Sequence, residues 1–102
     1  MIVSVIYPKT ESSTFDYTYY VQKHVPLVNE LWGHHGMRGL QVLRGTGSLG
    51  GAATYELIAL IDFESTEAFL AAAGAHADEV MGDIPHFTNV QPIVQFNEPV
   101  AL

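Results

Sequence analysis

FDYTYYVQKHVPLVNEL, residues Phe15–Leu31, decides the fold, because the hydrophobic period changes there from that of a strand to that of a helix. Tyr17, Tyr20, Val21, His24, Leu27, Val28 and Leu31 fall at i, i+3, i+4, i+7, i+10, i+11 and i+14, one stripe along a helix. Gly33 and Gly36 end it. Pro26 lies inside the pattern, where it removes the amide that would bond back to Gln22 and crowds that carbonyl. The helix is therefore expected to kink there, or to stop near His24 and restart with Pro26 in its first turn. Ser13 or Thr14 is the expected N-cap.

Strands flank this helix. Met1–Tyr7 is β-branched and apolar on both alternating sets, stopped by Pro8, and reads as a strand with both faces covered. Met37–Arg44 and Thr54–Phe63 read as the second and third strands, joined by the glycine-rich loop GTGSLGGAA. Ser65 is a good cap for a second helix with Phe69, Ala72, Ala73, His76 and Val80 at helical spacing. Gly74 weakens that helix by roughly 1 kcal/mol relative to alanine, so a bend near it is expected. Gly82–Pro85 closes the helix, and Asn89–Asn97 forms a last strand that Pro92 assigns to a sheet edge.

The order strand, helix, strand, strand, helix, strand is the ferredoxin-like βαββαβ pattern, an α+β fold with a four-stranded antiparallel sheet. At 102 residues the chain is one domain, residues 1–102, with a modest core. Its 48% hydrophobic and 15% charged residues call for more buried surface than one copy supplies, so a homodimer closing face to face over the sheet is expected. A formal net charge of -7 repels a phosphate backbone, which makes nucleic acid a poor partner. No stretch approaches a membrane span, and MIVSVIYPK lacks a basic n-region and a long enough apolar run for a secretory signal. The absence of cysteine excludes a disulfide framework, a thiolate nucleophile and a Cys-ligated metal, and fits a cytoplasmic protein.

Two longer stretches carry a resemblance. FDYTYYVQKHVPLV (Phe15–Val28) resembles the signature of the ethyl tert-butyl ether degradation (EthD) family, and AHADEVMGDIPHFTNVQPIVQ (Ala75–Gln95) is similar to that family's second signature. With the opening and third strands, the similarity spans essentially the whole chain. The resemblance implies a dimeric α+β barrel, in which two ferredoxin-like sheets meet and each protomer keeps a cleft between sheet and helices. Relatives of that fold include heme-degrading and quinone-forming monooxygenases, muconolactone isomerases and polyketide cyclases. The EthD family itself has no settled reaction, although its genes accompany catabolic oxidation systems, so the family fixes fold better than function.

Within that frame His24 is the leading candidate, a base or acid directed towards the sheet in an apolar cleft. The alternative is a core histidine bonded to a backbone carbonyl. His76, on the stripe of the other helix, is expected to face His24 across one cleft; alternatively it caps carbonyls near its helix end. Asp83, seven residues on, would orient His76, unless it is an ordinary turn residue before Ile84 and Pro85. Tyr20, Val21, Leu27, Val28 and Phe69 would wall the substrate site. Tyr17, Tyr20 and Tyr55 could supply hydroxyls to a small ligand, although an aromatic stripe at this spacing is more often core, and Trp32 reads as a core or interface anchor.

Two motifs carry nothing. Gly45, Gly47 and Gly50 match G-x-G-x-x-G, but a strand follows instead of the helix N-terminus that a dinucleotide needs. His34 and His35 are adjacent surface histidines, and no H-x-H or H-E-x-x-H spacing exists, so no metal site is expected. The expected function is a cofactor-free isomerase, cyclase or monooxygenase-like enzyme for a small hydrophobic or aromatic carbonyl metabolite. A non-catalytic carrier of such a metabolite is the alternative. Heme ligation by one histidine is a third reading, disfavoured by the four Lys and Arg of the whole chain.

Overall fold

The computed structural model describes residues 1–102. Strands β1 (Ile2–Pro8), β2 (Met37–Arg44), β3 (Tyr55–Phe63) and β4 (Ile93–Asn97) form one antiparallel sheet in the order β2-β3-β1-β4. Two helical arms cross one face, which is the ferredoxin-like α+β fold expected from the element order. Pro92 immediately precedes β4, and β4 pairs only with β1, so the proline sits where a missing amide costs no ladder bond.

The first arm has three parts: α1 (Tyr17–Tyr19), a π-helical turn (Tyr20–His24) and α2 (Val25–Trp32). Pro26 explains the middle part. In an unbroken α-helix its ring would press on the Gln22 carbonyl, whereas the wider turn, closed by the Val25 amide on the Tyr20 carbonyl, moves that carbonyl away. The wide turn also re-phases the apolar stripe. Tyr20, His24, Val28 and Trp32 are the buried residues, each four apart, while Val21 is 60% exposed. The cap is Asp16, not Ser13 or Thr14: its carboxylate accepts the Tyr19 amide at 3.0 Å. Ser13 is occupied in closing the turn onto Thr10, and the Thr14 amide is held by Asn89.

The second arm, α3 (Thr66–Asp83), starts at Ser65, whose hydroxyl accepts the Ala68 amide. It breaks at His76 (φ -130, ψ 25), two residues past Gly74, so α3 is two short helices end to end. A 3₁₀ turn, Ile84–His86, follows.

Register divides the sheet into two faces. Val3, Val5 and Tyr7 pair with Ile61, Ala59 and Leu57, and all point under the helices, where Phe63, Trp32 and Phe69 pack edge-on. Ile2, Ile6, Leu43, Ile58, Leu60 and Ile93 form the open face, and nothing within the chain covers it. The expectation that both faces of β1 are covered therefore fails for a single copy. The β2–β3 connection is a hairpin loop with a Ser48–Gly51 bridge, and no helix follows its glycines. A Cβ at Gly45 would lie 2.1 Å from the Tyr55 carbonyl oxygen, so this close crossing demands glycine.

Phe63 has no exposed surface, with its ring 5.9 Å from Trp32 and 5.2 Å from Phe69. Phe63→Ala is expected to cost about 3–5 kcal/mol in urea denaturation with an unchanged slope. A loss under about 1 kcal/mol would mean that this wall is not packed as described.

Candidate functional site

A cavity of about 90 Å³ lies between the helices and the covered face of the sheet. Its walls are apolar residues of the sheet (Val5, Ala59, Ile61) and of the helices (Val28, Phe69, Val80). Met81 and Val94, each nearly half exposed, mark where it meets the surface. His24 is the only lining side chain that could carry charge near neutral pH; Tyr7, Tyr20 and Trp32 supply the other polar side-chain atoms.

The π-turn ends on His24 and brings its ring under the helix, where it is 5% exposed. The imidazole lies against Tyr20 (5.4 Å between ring centres) and Phe87 (4.6 Å). Its Nδ1 is 2.9 Å from Oδ2 of Asp83, the last residue of α3. The other carboxylate oxygen accepts the Tyr19 hydroxyl at 2.6 Å. Tyr19 and His24 stand five residues apart, and the widened turn presents both to one carboxylate.

The electrostatics follow from this contact. Burial pushes the His24 pKa below the ordinary imidazole value, and the Asp83 hydrogen bond and charge only partly oppose it. Burial alone would raise Asp83, but the bonds from Tyr19 and His24 outweigh it and hold the carboxyl below its usual range. At neutral pH the pair is thus a neutral imidazole against a carboxylate. A carboxylate only accepts, so Nδ1 carries the proton and Nε2 keeps its lone pair. No protein group bonds Nε2. The arrangement is a buried, oriented base at the wall of an apolar pocket, with the carboxylate able to stabilise the imidazolium formed when Nε2 takes a proton.

The structure corrects two sequence expectations. His76 does not face His24: it does not line the cavity, and it sits at the break in α3 with Nδ1 3.2 Å from Glu79 and its ring edge-on to His35. Asp83 orients His24 instead of His76, because the break rotates the last turns of α3 towards the first arm. Of the expected wall residues, Tyr20, Val28 and Phe69 line the cavity; Val21 and Leu27 do not, since the π-turn carries them off the buried stripe. The Tyr17 hydroxyl is spent on the Glu56 carbonyl at 3.0 Å, and Arg44 lies over its ring. Sequence reasoning missed Tyr19, which lies off the α-helical stripe, and Tyr7, which reads as an ordinary strand core position. The spacing from Tyr19 to His24 is the signal, once Pro26 is taken to impose a wide turn. No cluster of three or more His, Asp or Glu is placed to hold a metal ion, and no helix is long and apolar enough to cross a membrane.

Because folding lowers both pKa values, the unfolded chain binds protons more readily than the folded one. The His24 contribution to stability is complete above the unfolded imidazole pKa and is lost as pH falls from there through the folded value; Asp83 follows in the carboxylate range. NMR titration should therefore find the His24 ring titrating below the ordinary imidazole range. Asp83→Asn should lower it further, since the carboxylate is what favours the charged form. An upward movement in that variant would contradict the pairing.

No family model and no curated protein matches the chain. Among solved structures, an EthD-like protein from Ralstonia eutropha JMP134 is similar at a TM-score of 0.89 and 31% identity, over 98% of this chain and 91% of that one. An ethyl tert-butyl ether degradation (EthD) family protein from Bacillus halodurans C-125 shares the fold at a TM-score of 0.65 and 18% identity, over 95% of this chain and 97% of that one. The signature stretches around His24 and Asp83, the ferredoxin-like sheet and the near full-length similarity to the Ralstonia protein agree, and the chain belongs to the EthD-like family.

Proposed function

We propose that the protein is a cofactor-free enzyme that moves a proton beside the carbonyl of a small hydrophobic or aromatic metabolite. The observation that carries this reading is the 2.9 Å Nδ1–Asp83 contact, which leaves Nε2 free at an apolar cavity. In the step, the C–H bond next to the carbonyl breaks, its proton goes to Nε2, and the electron pair moves onto the carbonyl oxygen as an enolate. Return of the proton to another carbon is an isomerisation; attack of the enolate on a second carbonyl is a cyclisation. A dry apolar cavity of about 150 Å³ holds benzene. The cavity of about 90 Å³ must therefore widen to take a ring, and Met81, flexible and nearly half exposed at its mouth, is the side chain placed to give way. Heme does not fit this volume, and no Lys or Arg lines it for the propionates.

A carrier reading shares the cavity but has no use for an oriented base. Exchange chemistry separates the two. With cyclopentanone, cyclohexanone or cyclohexenone in heavy water, the protein should accelerate exchange of the protons beside the carbonyl, read by NMR. His24→Gln should remove the acceleration, and Asp83→Asn should reduce it by about 10²-fold or more, as expected when a histidine loses its orienting carboxylate. Binding of these ketones with no exchange would favour the carrier.

The same reading includes a homodimer, with the open face of Ile2, Ile6, Leu43, Ile58, Leu60 and Ile93 closed by a second copy. Analytical ultracentrifugation should give a dimer, and Leu60→Lys should shift it to monomer with the His24 titration retained. A wild-type monomer at micromolar concentration would refute this part.

A further inference from the structure

The cavity holds a second set of polar groups that the base does not use. Tyr7 and Tyr20 both line it, with 1% and 3% of their surface exposed. Neither hydroxyl has a hydrogen-bond partner in the protein, although Tyr17 and Tyr19 each find one. Nor are they sealed: the one buried side-chain polar atom lacking both a partner and open space is Trp32 Nε1. Buried hydroxyls are normally satisfied, so two free ones on one cavity wall mark a place for an acceptor.

Their position relative to His24 is specific. The Tyr20 ring lies along the imidazole at 5.4 Å, and the Tyr7 ring meets Tyr20 edge-on at 6.3 Å. Phe87 packs against all three and Phe15 against both tyrosines, so the cluster is fixed in place. Burial raises both phenols, Tyr20 to about 12, which keeps them protonated as donors.

The geometry points to Tyr7 and Tyr20 as a donor pair for one ligand oxygen, the carbonyl oxygen that becomes an enolate or the hydroxyl oxygen of a phenol, beside the Nε2 of His24. This deepens the reading of His24 as a base and rests on it. It restricts the substrate to neutral compounds with a single enolisable carbonyl or phenolic oxygen on a small apolar frame. Carboxylates and phosphates fit poorly, because no Lys or Arg lines the cavity and the Asp83 carboxylate lies beside His24. As charge builds on the substrate oxygen, the two phenol O–H groups strengthen their bonds to it.

Phenol and para-nitrophenol are suitable probes, since ionisation of the second is visible by absorbance. In the bound state its O–H bond breaks, the proton passes to Nε2 and the pair stays on oxygen, held by the two tyrosines. The wild type should bind para-nitrophenol with a larger ionised fraction than in free solution at the same pH. Tyr7→Phe and Tyr20→Phe, which retain the rings, should each weaken binding roughly 10-fold and lower that fraction. His24→Gln should abolish the ionisation while phenol still binds. Equal affinity in the wild type and both Phe variants, or no binding of either probe to the wild type at millimolar concentration, would overturn the donor pair. Normal tyrosine effects with ionisation unchanged in His24→Gln would instead sink the base and leave the donors standing.

Discussion

One carboxylate ties the two helical arms together at the candidate site. Asp83 closes α3 and receives the Tyr19 hydroxyl on one oxygen and His24 Nδ1 on the other, so both helical arms meet on a single side chain. The contact fixes an imidazole tautomer on a residue that lines the cavity and leaves Nε2 without a protein partner. Its members are only partly shielded, with 13% of the Asp83 side chain exposed against 6% for His24. The carboxylate keeps its charge because the bonds from Tyr19 and His24 outweigh its burial, while the more deeply buried imidazole stays neutral.

The two faces of the sheet divide the remaining work. Alternation places Val3, Tyr7, Leu57, Ala59, Ile61 and Phe63 under the helices, where the aromatic contacts build both core and cavity. The same alternation leaves an apolar set on the other side. In a domain of 102 residues such a surface is a large part of what burial can supply.

Much of this was legible in the residues and some was not. Strand and helix order follow from a period of two giving way to a period near 3.6, and β2 matches its sequence reading end for end. Pro26 announced a distortion at His24, and Gly74 a bend in α3. What periodicity cannot give is the sense of those distortions. A wide turn rotates Val21 out and Tyr19 in, and a break at His76 turns Asp83 towards the other arm. The partner of His24 therefore lies on the expected helix, but seven residues past the expected histidine. Tyr7 was hidden for another reason: its hydrophobic position explains it completely until its hydroxyl is seen to lack a partner.

The break in α3 separates two tasks that a straight helix would join. The leading half, with Phe69 and Ala72, is anchored against the sheet; the trailing half, with Val80, carries the carboxylate. A continuous rod would transmit any tilt imposed by packing at its start to its far end, as a swing of the catalytic geometry. With the helix axis interrupted at His76, the trailing segment takes its direction from its own contacts, Val80 in the core and Asp83 on Tyr19 and His24. A substitution that enlarges or shrinks the anchored half then has a joint at which to be taken up before it reaches the Asp83–His24 contact.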